Sequence, residues 1–127
     1  KGHWQMEIYP AEYPEKFPDK RALVQFFDAD KIQWPCVLRE NRPGDKIQMP
    51  FGQKSISDLY TDEKTPMAIR MQFPVLESDG KILWAVGAAR SKLANITSET
   101  KRMIAMRFTY TLEEENPCLE TILNPCW

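Results

Sequence analysis

Basic side chains around a tight turn are the first residues of this sequence whose types and spacing could serve chemistry. Arg39 and Arg42 precede Pro43-Gly44-Asp45, and Lys46 follows it. Proline presets φ at one turn position and glycine supplies a positive φ at the next, so local backbone chemistry explains the turn. It does not explain the flanking cations. The segment is either a plain strand, turn and strand, or a loop built to hold a ligand.

Other reactive residues do not form a recognisable active site. Asp28 and Asp30 are a close carboxylate pair, but a turn after a strand is the favoured explanation. The single histidine, His3, makes a Ser-His-Asp or Cys-His site improbable. The chain contains no GxxxxGK[ST], GxGxxG or GxSxG motif. The three cysteines have no metal-like spacing, which favours reduced thiols in a cytoplasmic protein; they are Cys36, Cys118 and Cys126.

Charge is unevenly distributed along the 127 residues, although the net charge is only −1. Residues 81–107 contain six basic residues and one acid, a local charge of +5, whereas residues 108–127 contain four glutamates and no base. A basic segment permits a local phosphate-binding face on a nearly neutral chain, without requiring one. No apolar run approaches the length of about 18 residues that a membrane span needs.

Short strands are the elements expected to position these residues. Apolar alternation and turn signals predict strands over 22–27, 35–40, 46–50 and 102–110, the last being the final strand, and a hairpin of 75–77 with 82–86 around an Asp-Gly turn. The continuously apolar 82–86 segment predicts a central strand that is buried on both faces. Trp4, Met6 and Ile8 alternate with polar residues, which predicts one more short strand near the beginning of the chain.

A short helix is predicted where the apolar period changes. Ile56, Leu59 and Tyr60 fall at i, i+3 and i+4, and Ser55 with Asp58 forms an N-terminal capping box. The helix should end near residues 63–64, before Pro66, and residues 67–71 could form a second helical piece. The pattern predicts a small α+β domain with a mixed, sandwich-like sheet and one or two short helices.

Composition predicts that the chain divides into three segments. Prolines every four residues indicate an extended connector over residues 1–20, after a domain that is not part of this sequence. Residues 21–110 form the predicted domain, and residues 111–127 an acidic tail. The chain begins with Lys1 rather than Met, so we expect a fragment of a longer protein.

Ordered sequence blocks from Phe26 to Phe108 resemble the C-terminal domain of the tRNA(Ile)-lysidine synthetase family. They are FDADKI, WPCVLRENRPGD, PFG, KSISDLYTDEKTP, an arginine followed by FPVL, DGKILWAVG and TSETKRMIAMRF. Each block alone is weak, but their common order over about eighty residues is specific. The resemblance implies a fold similar to a domain of the phenylalanyl-tRNA synthetase β-subunit.

The resemblance also implies a function. The family enzyme uses ATP to attach lysine to the wobble cytidine of an isoleucine tRNA, forming lysidine. ATP with magnesium and lysine are implied for its N-terminal catalytic domain, so no cofactor, metal or catalytic residue is expected on this chain. The C-terminal domain is implied to grip tRNA(Ile) away from the anticodon.

Cations around the turn and the helix are the candidate tRNA contacts, because RNA is held largely through phosphates and 2′-hydroxyls. They are Arg39, Arg42, Lys46, Lys54, Lys64, Arg70, Arg90 and Lys92. A second hypothesis is a protein-interaction module that packs on its own catalytic domain or on a second subunit, as in a homodimer. A third and weaker one is a stand-alone enzyme that uses Asp28, Asp30 or a cysteine.

Overall fold

Two β-sheets and one short α-helix make up the part of the chain that the computed structural model describes, namely residues 2–19, 22–62, 73–112 and 120–123. The elements are β1 (Gly2–Pro10), β2 (Val24–Asp28), β3 (Cys36–Arg39), β4 (Lys46–Met49), β5 (Gly52–Ser55), α1 (Ile56–Asp62), β6 (Val75–Ser78), β7 (Lys81–Ala85), β8 (Ala89–Arg90), β9 (Met103–Leu112) and β10 (Glu120–Leu123). A sheet-dominated domain with a short helix confirms the predicted α+β class.

The smaller sheet has the antiparallel order β1-β9-β2. β1 pairs with β9 along its whole length, from Gly2 opposite Leu112 to Pro10 opposite Ile104. The strand predicted from the alternation at Trp4 is therefore present, and the Trp4 side chain is buried in the core. The segment predicted as a connector thus begins with an edge strand of the fold.

The larger sheet has seven strands in the order β10-β3-β6-β7-β4-β5, with β8 also paired to β7. β6 and β7 form the predicted hairpin around Asp79 and Gly80, which both have positive φ. β7 lies inside the sheet and is buried from Ile82 to Ala85, as its apolar run predicts. The prediction that residues 102–110 form the last strand is wrong, because β10 follows and pairs with β3.

The larger sheet carries a hydrophobic cluster on each face. Phe27 and Phe108 of the smaller sheet pack in one cluster with Trp84 and Leu76 of the larger sheet. In the second cluster, Ile56 of α1 packs with residues of β4, β6 and β7 such as Ile47, Val75 and Ile82. Burial on both faces is why β7 has no polar alternation.

α1 begins at the predicted cap. The Ser55 hydroxyl oxygen accepts a hydrogen bond from the Asp58 amide at 3.1 Å, which satisfies one of the unpaired N–H groups of the first turn. Residues 52–55 immediately before it form β5, which local sequence did not reveal. The predicted end of the helix at 63–64 and the helical piece at 67–71 lie outside the described residues.

The Asp28 and Asp30 pair has a structural role. Asp28 is 4% exposed, and its carboxylate accepts hydrogen bonds from the Asp30 amide and the Thr100 hydroxyl, both at 3.0 Å. It caps a 3₁₀ turn over Ala29–Lys31 and ties it to the loop before β9. This geometry supports the turn interpretation.

Arg90 on β8 is held inside the fold. Its guanidinium donates hydrogen bonds to the main-chain carbonyls of Phe26 and Ala94, and its Cζ lies 4.3 Å from the centroid of the Phe27 ring. Burial lowers the pKa of Arg90 to about 10. The Arg90 guanidinium thus joins β8 to β2, and the tRNA contact at Arg90 stays a prediction.

We expect Arg90→Met to lower the free energy of unfolding by about 1–3 kcal/mol, because buried carbonyls would lose their donors. Chemical denaturation measures the change, and Arg90→Lys, which keeps the charge without the planar fork, should give an intermediate loss. Weaker RNA binding by Arg90→Met at unchanged stability would contradict the structural role.

Candidate nucleic-acid interface

The turn between β3 and β4 has the predicted geometry. The Asp45 amide donates to the Arg42 carbonyl at 3.1 Å, and Gly44 between them has a φ of +89°. The Asp45 carboxylate also accepts from the Arg42 amide at 2.7 Å. Asp45 is thus a turn residue, as the sequence indicated, and Arg42 is carried at the exposed start of the turn.

Arg39 lies beneath this turn rather than on the surface. Its side chain is paired with two carboxylates: Nε lies 2.6 Å from Glu77 Oε1, and Nη1 and Nη2 lie 2.9 and 3.0 Å from the two oxygens of Asp45. Nη1 also donates to the Glu40 carbonyl at 2.8 Å. Arg39 is 6% exposed and its donors are directed at groups inside the protein, while the direct tRNA contact at Arg39 stays a prediction.

The ion pair shifts the titration of both partners. The hydrogen bond with Asp45 raises the pKa of Arg39 further above its usual value, against the opposing effect of burial. Burial alone would raise the pKa of Asp45, but the hydrogen bonds from Arg39 and from the Arg42 amide outweigh it and hold that pKa below its usual value. Both groups are therefore charged near neutral pH.

An open groove of about 450 Å³ lies beside the turn, and we call it the lysine groove. Three exposed lysines line it: Lys46, Lys81 and Lys92. The other lining residues are Arg39, Gly44, Asp45, Gln48, Gln53, Gly80, Ile82 and Leu93. Because the Asp45 carboxylate is already bound by Arg39, the lysines determine the charge that the groove presents.

Strand pairing explains why lysines distant in sequence meet there. β4 and β7 are parallel and paired at Ile47 and Ile82, so the preceding residues, Lys46 and Lys81, are neighbours across the sheet. The Lys92 amide donates to the Gln48 carbonyl at 2.9 Å, which brings the third lysine beside β4. The groove is thus a product of the tertiary fold.

A second depression of about 420 Å³ adjoins the lysine groove and shares Lys81 and Lys92 with it. It adds Lys31, whose Nζ lies 3.3 Å from the Asn95 carbonyl and 3.8 Å from Asp28 Oδ2. The basic face therefore extends beyond the groove, with Lys31 partly neutralised at its far end and the exposed Asp79 also lining the depression.

The remaining predicted contacts do not all join this face. Lys54 is half-buried on β5 and does not line the groove, whereas its neighbour Gln53 does, consistent with the alternation of side chains along a strand. Lys64 and Arg70 lie outside the described residues. Lys81 and Lys31 were not among the predicted contacts. The local charge of +5 over 81–107 included Lys81, but the parallel pairing that places it has no sequence signal.

Other functional chemistry is limited in the part of the chain that the structure describes. No group of three His, Cys, Asp or Glu side chains there could hold a metal ion. Burial raises the pKa of the Cys36 thiol to about 11, against a weaker opposing hydrogen bond with Ser78. None of the helices among the same residues is long and apolar enough to cross a membrane.

Similarity to known proteins covers most of the chain. The tRNA(Ile)-lysidine synthase of Geobacter sulfurreducens is 28% identical over 109 residues, which are 84% of this chain and 23% of that protein. That of Clostridium perfringens is 31% identical over 110 residues, with the same two shares. A bifunctional TilS/HprT protein of Listeria monocytogenes is 33% identical over 85 residues, or 65% of this chain and 13% of that protein. This chain therefore spans less than a quarter of the length of these relatives.

A crystal structure of a TilS C-terminal domain matches the fold with a TM-score of 0.71 at 22% identity, covering 89% of this chain and 100% of that one. The family model of the TilS substrate C-terminal domain matches residues 36–106, which include the turn, β4, β7 and Lys92. The resemblance noted in the sequence blocks is thereby confirmed, and the chain belongs to the family of TilS C-terminal domains.

Proposed function

We propose that this chain is the tRNA-binding part of a tRNA(Ile)-lysidine synthase and that the lysine groove holds the tRNA backbone. The single observation that carries the proposal is the convergence of Lys46, Lys81 and Lys92 in one groove of a domain from this family. The catalytic domain of the longer protein would ligate lysine to the wobble cytidine. ATP with magnesium and the lysine substrate are assigned to that domain.

Lysine suits a backbone contact that does not read bases. Its ammonium is a compact charge on a flexible stem, and it binds a phosphate as a point charge rather than through a planar fork. The deep, narrow major groove of duplex RNA leaves the phosphates and 2′-hydroxyls as the accessible features. Three lysines within one groove therefore favour binding of the tRNA by shape and charge, which fixes its position.

The internal pairing of Arg39 and Arg90 also supports the lysines as the tRNA contacts. Arg39 is neutralised by Asp45 and Glu77, and Arg90 is directed at main-chain carbonyls. The positive charge offered to a partner on this face thus comes from the exposed lysines.

We expect the triple variant Lys46→Ala, Lys81→Ala and Lys92→Ala to bind tRNA(Ile) with a shallower salt dependence. Each lost phosphate contact removes about 0.7–0.9 from the slope of log K against log salt, so the loss of three contacts should total about 2.1–2.7. Filter binding or fluorescence anisotropy at several salt concentrations measures the slope.

Lys16→Ala is the matched control, because Lys16 is exposed and is not among the residues lining the groove. It removes one positive charge, as each single groove substitution does, and should leave the slope nearly unchanged. Equal slopes for the control and the triple variant would show that the lysine groove does not bind the tRNA.

A second candidate function is packing on another protein surface, favoured by exposed aromatic residues away from the groove. Tyr13 is 70% exposed and Phe17 39% exposed, and their rings meet edge to face at 5.1 Å. Phe17 in turn contacts Phe26 at a centroid distance of 6.0 Å, and Leu23 nearby is also exposed. These residues suit a contact with a second copy of the chain or with the catalytic domain.

If that surface joins two copies, sedimentation velocity should show a concentration-dependent dimer that Tyr13→Ser with Phe17→Ser converts to a monomer. The same double variant should keep its tRNA affinity within about twofold, because neither residue lines the lysine groove and substitutions that share no partners act independently. A monomeric wild-type chain at all concentrations would contradict self-association through these aromatics.

A further inference from the structure

The buried ion pairs of Arg39 connect three parts of the fold, and two of the paired residues, Arg39 and Asp45, line the lysine groove. Arg39 ends β3, Glu77 lies on β6, and Asp45 is the last residue of the turn before Lys46. Building on the proposed function, we infer that Arg39 is a positioning residue: by binding Asp45 and Glu77 together, it holds the turn and so places Lys46 at the groove.

Asp45 links Arg39 to Lys46. Its carboxylate binds Arg39 and the Arg42 amide, its own amide donates to the Arg42 carbonyl, and its carbonyl accepts from the Ile56 amide at 2.9 Å. The side chain thus fixes the turn, and the main chain ties the turn to the first residue of α1. Lys46 is the next residue in the chain, so its backbone direction is set by Asp45.

An arginine is required by the geometry of the partners. Nε donates to Glu77, and Nη1 and Nη2 donate to the two oxygens of Asp45. One planar group thus binds two carboxylates on different parts of the chain. A lysine has a single nitrogen and no fork, and it could not keep both pairs in the same geometry. Arg39→Lys therefore preserves the charge and removes the positioning.

Burial makes this arrangement rigid. The side chains of Arg39 and Asp45 are 7% and 13% exposed, and that of Glu77 is 27% exposed. Charged groups so enclosed are stable only while paired, because an unpaired buried charge is costly. Loss of the planar guanidinium should therefore loosen the turn, which then keeps only its own hydrogen bonds and the one to Ile56.

A double-mutant cycle tests the positioning role. Arg39→Lys should weaken tRNA(Ile) binding by about threefold to tenfold in the wild-type background and by less than about twofold in a Lys46→Ala background, because coupled residues are not additive. Hydrogen exchange of the Arg42 amide, which donates to Asp45, should be faster in Arg39→Lys. Equal loss of affinity in both backgrounds, or no loss in either, would overturn the inference.

Further variants keep the inference testable and separate it from the proposed function. If Arg39→Lys does not fold, Glu77→Gln removes the charge of one partner and leaves the Asp45 pair, and it should give a smaller loss of affinity that also disappears in the Lys46→Ala background. The failure of the proposed function is recognised separately: single Lys46→Ala, Lys81→Ala and Lys92→Ala variants would then bind tRNA like the wild type, whatever Arg39 does.

Discussion

The fold around the candidate interface depends on keeping the charge of the largely buried Arg39 side chain paired. A buried guanidinium requires partners, and Asp45 and Glu77 provide them from the turn and from β6. This constraint fixes where the turn lies relative to the larger sheet. The groove wall formed by Arg39 and Asp45 keeps its shape because moving it would separate these charges.

The exposed and buried cations of this domain have different roles. Arg39 and Arg90 use their forks inside the protein, where planar donors can satisfy several oxygens at once. Lys46, Lys81 and Lys92 remain on the surface, where a flexible ammonium can follow a phosphate backbone. In our proposal Arg39 and Arg90 stabilise the fold, and the three lysines contact the tRNA. The sequence alone had suggested contacts by both kinds of residue.

Local features were predictable from the sequence, and features set by tertiary contacts were not. The Pro43-Gly44-Asp45 turn, the Ser55 cap and the Asp-Gly hairpin depend on neighbouring residues, and the structure confirms all three. The burial of Arg39 depends on Glu77, which is 38 residues away. Likewise, Lys81 reaches the groove only through one parallel pairing between β4 and β7. Ordered family blocks identified the domain, but these distant contacts could not be read from them.

The most direct test of the central claim is an amide chemical-shift map of the chain titrated with tRNA(Ile). If the tRNA binds in the lysine groove, we expect the largest shifts along it, at Gly44, Lys46, Gln48, Lys81 and Lys92. These shifts should diminish as salt is raised. Shifts confined to the aromatic surface at Tyr13, Phe17 and Leu23, with the groove residues unchanged, would contradict binding in the groove.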